Sequence, residues 1–163
     1  MPAVQLTPLD DDLTERLLAV AVADADPTEV IPPVEGPPGW TAGRAEFFRA
    51  FHHERQAGLA GPLRTVMYAI TADYRIVGMI RLTLDESGRE AETGMWLART
   101  ARGQGLGGAA FERLLDEAHR AGARTVKADT TPGNHAALAV LRRAGAQLRA
   151  ENDKVYARLE LDT

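Results

Sequence analysis

The sequence contains no cysteine. Disulfides, thiolate metal sites and a cysteine nucleophile are therefore excluded before any structural argument begins. A basic excess is missing too: 19 Lys and Arg stand against 23 Asp and Glu, a formal net charge of −4. Nothing supplies the basic face that nucleic-acid binding needs to displace phosphate counterions. Long apolar runs are also lacking. No uncharged stretch reaches the length of a bilayer span, and Met1-Pro2-Ala3-Val4-Gln5-Leu6 has neither the basic segment nor the apolar run of a secretion signal. The expectation is a cytoplasmic protein with no nucleic-acid partner and no membrane partner; a homodimer is left open.

What is present fits one domain over residues 1–163, with 45% hydrophobic and 26% charged residues, enough to bury a core. Val4-Gln5-Leu6 reads as a strand, and Asp10-Asp11-Asp12 opens a helix carrying Leu13, Leu17 and Val20. Residues 27–39 hold five prolines and two glycines, a composition that reads as loop. Thr41 caps a second helix bearing Phe47, Phe48 and Phe51, which stops near Gly58. Alternation then takes over: Val66, Tyr68 and Ile70, next Ile80, Leu82 and Leu84, next Glu92 to Leu97 form three strands of an antiparallel meander, joined at Ala72-Asp73 and Glu86-Ser87-Gly88. Phe111, Leu114, Leu115 and Ala118 mark a helix ending at Gly122. Thr125 to Asp129 is a fourth strand of meander length. Ala137, Val140, Leu141 and Ala144 mark a last helix ending at Gly145, and Val155 to Leu161 alternates as a strand paired back through Glu151-Asn152-Asp153 to residues near Leu148. The order of elements describes a mixed α/β sheet domain.

Between the third meander strand and its helix lies Arg102-Gly103-Gln104-Gly105-Leu106-Gly107-Gly108. Glycines there free several backbone N–H groups to point at one anion, where the helix dipole adds roughly half a positive charge. A nucleoside triphosphate loop would need Lys-Ser or Lys-Thr after its last glycine, and the chain has Ala109-Ala110. The dinucleotide fingerprint is met by Gly105-Leu106-Gly107-Gly108-Ala109-Ala110, with Asp129 at a fitting distance for a ribose contact. That fold, however, needs several parallel strands after the motif, and the residues left are too few. A plainer reading also stands: the glycines let helix and strand pack closely.

The longer string Gly94-Met95-Trp96-Leu97-Ala98-Arg99-Thr100-Ala101-Arg102-Gly103-Gln104-Gly105-Leu106-Gly107 resembles the GNAT superfamily of acetyl-CoA-dependent N-acetyltransferases. Arg102-x-x-Gly105-x-Gly107 matches that family's pyrophosphate signature, and Asn134 and Gly145 match the asparagine that begins its next helix and the glycine that ends it. The resemblance is clear over residues 91–149, and the element order agrees from residue 4 to residue 161. It implies a mixed, mostly antiparallel central sheet with helices on both faces, forming a single N-acetyltransferase domain. It also implies acetyl-CoA as co-substrate, a small-molecule or peptide amine as acceptor, and no metal. The cofactor-binding residues it implies are Met95, Trp96 and Leu97 along the pantetheine arm, then Arg102, Gly103, Gln104, Gly105, Leu106, Gly107, Gly108 and Asn134.

Acyl transfer to an amine requires a neutral nucleophile, whereas an unperturbed primary ammonium has a pKa near ~10.4, so a base or a desolvating site is needed. Asp129, five residues before Asn134, stands where some members of the family carry a suspected base; otherwise it opens the Pro132-Gly133 turn or caps the next helix. Glu92 is the second candidate, against an ordinary cross-strand ion pair. Many members place a tyrosine seven residues after the asparagine to protonate the departing thiolate, and this chain has Leu141 there. Ala146 similarly replaces the usual aromatic after Gly145. Tyr156 or water is the substitute available. A second class of function follows from the missing tyrosine: an acyl-CoA-binding sensor without turnover. Trp40, Phe47, Phe51, His52 and His53 either line the acceptor pocket or pack as core, core being the expectation. Histidines without partners at ligand spacing give no metal site.

Overall fold

A computed structural model describes residues 3–161; Met1, Pro2, Asp162 and Thr163 lie outside the described residues. The chain runs β1 (Val4–Pro8), α1 (Asp11–Asp24), α2 (Pro27–Val30), α3 (Ala42–Glu54), β2 (Thr65–Ala72), β3 (Arg75–Leu84), β4 (Glu90–Leu97), α4 (Leu106–Arg120), β5 (Thr125–Thr130), α5 (His135–Arg143), β6 (Gln147–Glu151) and β7 (Lys154–Glu160). Single 3₁₀ turns occupy Gly58–Ala60 and Arg99–Ala101. No helix among the described residues is long and apolar enough to cross a membrane.

The strands form one sheet in the order β1-β2-β3-β4-β5-β7-β6. Every neighbouring pair is antiparallel except β4 and β5. The meander thus ends at β4, and β5 lies beside β4 in the sheet. The crossover through α4 returns it parallel to β4, as a connection of that length requires.

Alternation sets which face each strand buries. Ile80 and Leu82 of β3, with Ala91 of β4 and Val126 of β5, pack beneath α4 around Leu106, Ala110 and Leu114. On the opposite face Met67, Ala69, Met79 and Trp96 pack beneath α1 to α3, around Leu17, Leu18 and Phe48. A third cluster joins Phe111 of α4 and Leu141 of α5 to Ala157 of β7.

Local signals place the ends of these elements. Asp10, Thr41 and Asn134 accept from the N–H groups of Leu13, Arg44 and Ala137 at 2.7, 3.1 and 3.1 Å, satisfying one free donor at each helix start. The β2–β3 hairpin turns through Asp73 and Tyr74, and the β6–β7 hairpin through Asn152 and Asp153, all four at positive φ.

The proline-rich stretch differs from a plain loop in two respects. Its start is the single turn α2, capped by Asp26 with Pro27 in the first turn, where a missing N–H does no harm. Its remainder wraps the guanidinium of Arg44, which donates to the carbonyls of Val34, Gly36, Pro37 and Gly39. Prolines remove donors and leave carbonyls behind, and one five-donor side chain collects them.

The feature that positions the site is where β4 leaves β5. The pair holds only three rungs, Glu90 to Thr125, Ala91 to Val126 and Glu92 to Lys127. Beyond them β4 stays on β3 as far as Leu97 opposite Gly78, while β5 stays on β7 as far as Thr130 opposite Val155. The sheet thus opens into a V between Thr93–Leu97 and Ala128–Thr130. Gly78 fixes one side of it: a Cβ there would stand 2.1 Å from the carbonyl oxygen of Trp96, so only glycine lets the two backbones close.

Candidate functional site

The glycine turn lies at the wide end of the V. Gly103 and Gly105 both adopt φ of +78°, and Gly105 is the residue before α4, where it offers no side-chain cap. Among the described residues, the backbone N–H groups of Gly103 through Gly108 donate to no protein acceptor; the next N–H, that of Ala109, returns to the Gly105 carbonyl. The first turn of α4 holds no acidic residue. Successive free donors at a helix N-terminus form an anion cradle. Close packing does not account for the later glycines: a Cβ on Gly107 would meet nothing nearer than Leu97 Cδ1 at 3.5 Å, and one on Gly108 nothing within 4 Å.

The residues before the cradle are tied to the opposite layer. Asp24, at the end of α1, accepts from the Thr100 N–H at 3.0 Å and from its hydroxyl, and these bonds hold the Asp24 carboxyl below its ordinary value. Gln104 reaches back to the Thr100 carbonyl at 3.0 Å. Arg102 points away from the free N–H groups: its Nε and Nη2 donate to the Leu97 carbonyl at 3.2 and 3.1 Å, and its guanidinium pairs with Glu29 of α2. Of the residues assigned to the cofactor, Gly103 to Gly108 thus contribute backbone, whereas the Arg102 side chain braces the end of β4.

Along β4 the two faces part company. Met95 and Leu97 turn toward α4, beneath Gly107, and Trp96 turns toward α1 to α3 and is buried, its indole N–H without a partner. Asn134 acts as the cap of α5. Leu141 is buried against Phe111 and Ala157, in the seam between α4, α5 and β7.

Glu92 and Asp129 stand on the face opposite α4. Glu92 pairs with Arg81 at 3.0 Å, the cross-strand ion pair weighed against catalysis, and its side chain is 63% exposed. Gly94 leaves room for that guanidinium, since a Cβ there would lie 3.3 Å from Arg81 Nη2. Asp129 is 48% exposed, with Lys154 Nζ at 3.7 Å. Lys127 and Arg158 converge on Glu90 from β5 and β7, at 2.9 and 3.6 Å. α1 to α3 cover β1 to β3 here, and the half of this face formed by β5, β7 and β6 is lined by exposed polar side chains. Tyr156 belongs to it, directly across from Asp129. The sequence offered Tyr156 only as a substitute for the missing acid; its place against Asp129 is set by the pairing of β5 with β7, two strands distant in the chain, whose register neither strand encodes.

The aromatic helix packs as core. Phe48 and His52 are buried, Trp40 donates from its indole to the Ala25 carbonyl at 2.9 Å, and Phe47 stacks on Phe51. Two clefts, of about 360 and 290 Å³, flank α3, and neither includes a residue of β4, β5 or the glycine turn. Among the described residues no three His, Asp or Glu side chains gather as a metal ion would need.

This arrangement, an anion cradle at the mouth of a split between parallel strands, offers free donors to an anionic ligand. The acetyltransferase (GNAT) domain family matches residues 4–147, and the chain belongs to that family. Several solved structures with this fold hold acetyl-CoA or coenzyme A. No curated protein matches the sequence. Among solved structures, a probable acetyltransferase superposes with a TM-score of 0.76 at 22% identity, over 96% of this chain and 92% of its own. RimL, a ribosomal L7/L12 α-N-protein acetyltransferase bound to coenzyme A, superposes with a TM-score of 0.75 at 19% identity, over 98% and 94%. The microcin C7 self-immunity acetyltransferase MccE, in complex with acetyl-CoA and AMP, does so with a TM-score of 0.73 at 15% identity, over 97% and 92%. These likenesses show the same fold: a mixed, mostly antiparallel sheet with helices on both faces.

Proposed function

We propose that this chain moves the acetyl group of acetyl-CoA to a primary amine by direct attack in a ternary complex. The observation that carries the reading is the V between β4 and β5, which opens the sheet to both faces at once. The side under α4 and α5 ends in the free N–H groups of Gly103 to Gly108, suited to phosphates. The other side is the exposed polar face with Asp129 and Glu92, suited to an amine.

When bound, acetyl-CoA supplies an acyl thioester. The backbone of Met95, Trp96 and Leu97 holds its arm, and Arg102 keeps the end of that strand in place through the Leu97 carbonyl. The acceptor attacks as the neutral amine, and Asp129, with Glu92 the alternative, takes the proton that its nitrogen sheds as the C–N bond forms. Coenzyme A thiolate is a tolerable leaving group, so positioning carries much of the work. The acceptor is a small-molecule or peptide amine; the fold neighbour RimL is named as an α-N-protein acetyltransferase of a ribosomal protein.

A second reading, an acyl-CoA sensor without turnover, is favoured by one observation: Leu141 fills the usual acid's position and is buried. Calorimetry with acetyl-CoA followed by thiol release over a panel of amines separates the two. Binding with release for at least one amine is expected. Binding with no release for any amine favours the sensor, and no binding sinks both.

A further inference from the structure

Four threonines are buried: Thr14, Thr65, Thr93 and Thr125. Thr14 donates to the Asp10 carbonyl at 2.7 Å, Thr65 meets the Thr83 hydroxyl, and Thr125 donates to Glu160 at 2.9 Å. Thr93 differs. It is 6% exposed and its Oγ1 has no hydrogen-bond partner among the described residues. A buried hydroxyl without a partner is a rare and unfavourable thing in a folded protein.

Its place in the sheet is equally specific. The last rung between β4 and β5 joins Glu92 to Lys127, so Thr93 is the first residue of β4 inside the V, at its closed end. By the alternation of the strand it shares a face with Ala91, Met95 and Leu97, the face under α4. From Thr93 to Leu97 the strand rises roughly 13 Å toward the glycine turn. An arm anchored by its phosphates at Gly103 to Gly108 and laid along β4 carries its sulfur end toward Thr93. Met95 and Leu97, the other residues on that path, are apolar, and Tyr156 belongs to the opposite face.

We propose that the Thr93 hydroxyl is the hydrogen-bond donor for the sulfur of the bound thioester, in the role that Leu141 cannot take. The inference rests on the acetyltransferase reading above. In the transfer the amine lone pair forms the C–N bond, the C–S bonding pair leaves on sulfur, and the ammonium proton passes to the base on the open face. Thr93 keeps its own proton and stabilises the thiolate, which is protonated from solvent on release. It is a binding donor to a charge that grows in the transition state, not a general acid.

The test uses Thr93→Val, which keeps the branched shape and removes the hydroxyl, with Thr93→Ser restoring it and Thr93→Ala as a second hydroxyl-free variant. Three readouts are expected. First, Thr93→Val melts no lower than wild type without ligand, because an unpartnered buried hydroxyl is lost. Second, the thiol of bound coenzyme A, titrated by thiolate absorbance, ionises lower on wild type than free in solution, and its pKa rises by roughly one unit in Thr93→Val and Thr93→Ala. Third, kcat for thiol release falls about tenfold to a hundredfold, the range of a hydrogen bond to a charged group, while KM for acetyl-CoA stays within about twofold; Thr93→Ser recovers both. A bound thiol that titrates identically in wild type and Thr93→Val, or an unchanged kcat, overturns the assignment while leaving the acetyltransferase reading intact. Failure of wild type to bind coenzyme A overturns both.

Discussion

Asp129 of β5 lies directly opposite Tyr156 of β7, and both project from the uncovered face of the sheet beside the V. In the proposed reaction the carboxylate takes the proton of the amine, and the ring offers the acceptor an aromatic surface. Tyr156 is itself flanked by Arg149, whose guanidinium sits 5.4 Å from the ring centre.

The two residues should separate kinetically. Asp129→Asn is expected to lower kcat on the order of a hundredfold and to remove the acidic limb of its pH profile, the signature of a lost general base. Tyr156→Ala should instead raise KM for the amine with kcat little changed, and Tyr156→Phe should behave like wild type. An Asp129→Asn profile that keeps its acidic limb returns the base to Glu92, where Glu92→Gln would then remove it.

The cradle makes a prediction in which fold and affinity part. Gly107 has no positive φ, and a Cβ there makes only ordinary contacts with Leu97 and Met95. Gly107→Ala should therefore fold normally and bind coenzyme A nearly as well. Gly107→Leu carries its extra atoms over those two side chains, into the opening, and should weaken binding at least about tenfold with the fold intact, roughly 1.4 kcal/mol. Wild-type affinity in Gly107→Leu, measured by calorimetry, would falsify the assignment of phosphates to this turn.

A third prediction concerns how the V is held open. A methyl on Gly78 collides with backbone, which cannot swing aside as a side chain would. Gly78→Ala should destabilise the domain by about 3 kcal/mol, the upper end of overpacking effects, seen as a lower urea midpoint. Because the obstructed strand carries Trp96 and Leu97, coenzyme A affinity should fall in the same variant. A midpoint equal to wild type would show that β3 and β4 can separate locally without loss.

These variants also mark how far the sequence reaches. The glycine turn before α4 was legible because its glycines act through their own backbone, and the Thr41 cap because a cap acts within three residues; that Asp10 and Asn134 cap α1 and α5 is read from the structure. Alternation assigned the meander strands for the same local reason. The V was not legible, since it consists of rungs that β4 and β5 do not form, and nothing in either strand encodes a missing partner. Nor was the wrapping of residues 34–39 around Arg44, where composition showed the scarcity of donors but not the distant side chain that meets it. Glu92 beside Arg81 and Tyr156 across from Asp129 depend on register, which a shift of one residue inverts.

Stability should depend on pH through His52, a residue outside the proposed chemistry. It is 1% exposed, packed on Phe48 with ring centres 4.1 Å apart. Its Nδ1 lies 2.7 Å from the Phe48 carbonyl, which can only accept, so the proton sits on Nδ1 and Nε2 is left bare, buried and without a partner. Burial dominates and depresses its pKa to about 4, against a partial opposing effect of that carbonyl. The unfolded chain binds the proton near pH ~6.5, so the contribution of neutral His52 is full above that value and is lost as pH falls toward 4. The loss amounts to roughly 3 kcal/mol at the lower end. Asp24 and Asp26, held low by their hydrogen bonds, lose theirs only below the ordinary carboxylate range. Urea unfolding of wild type between pH 7 and pH 4.5 should show stability falling with acid, and His52→Leu, which removes the titrating ring and its bare nitrogen together, should flatten that slope. Equal slopes in the two proteins would place the acid sensitivity elsewhere.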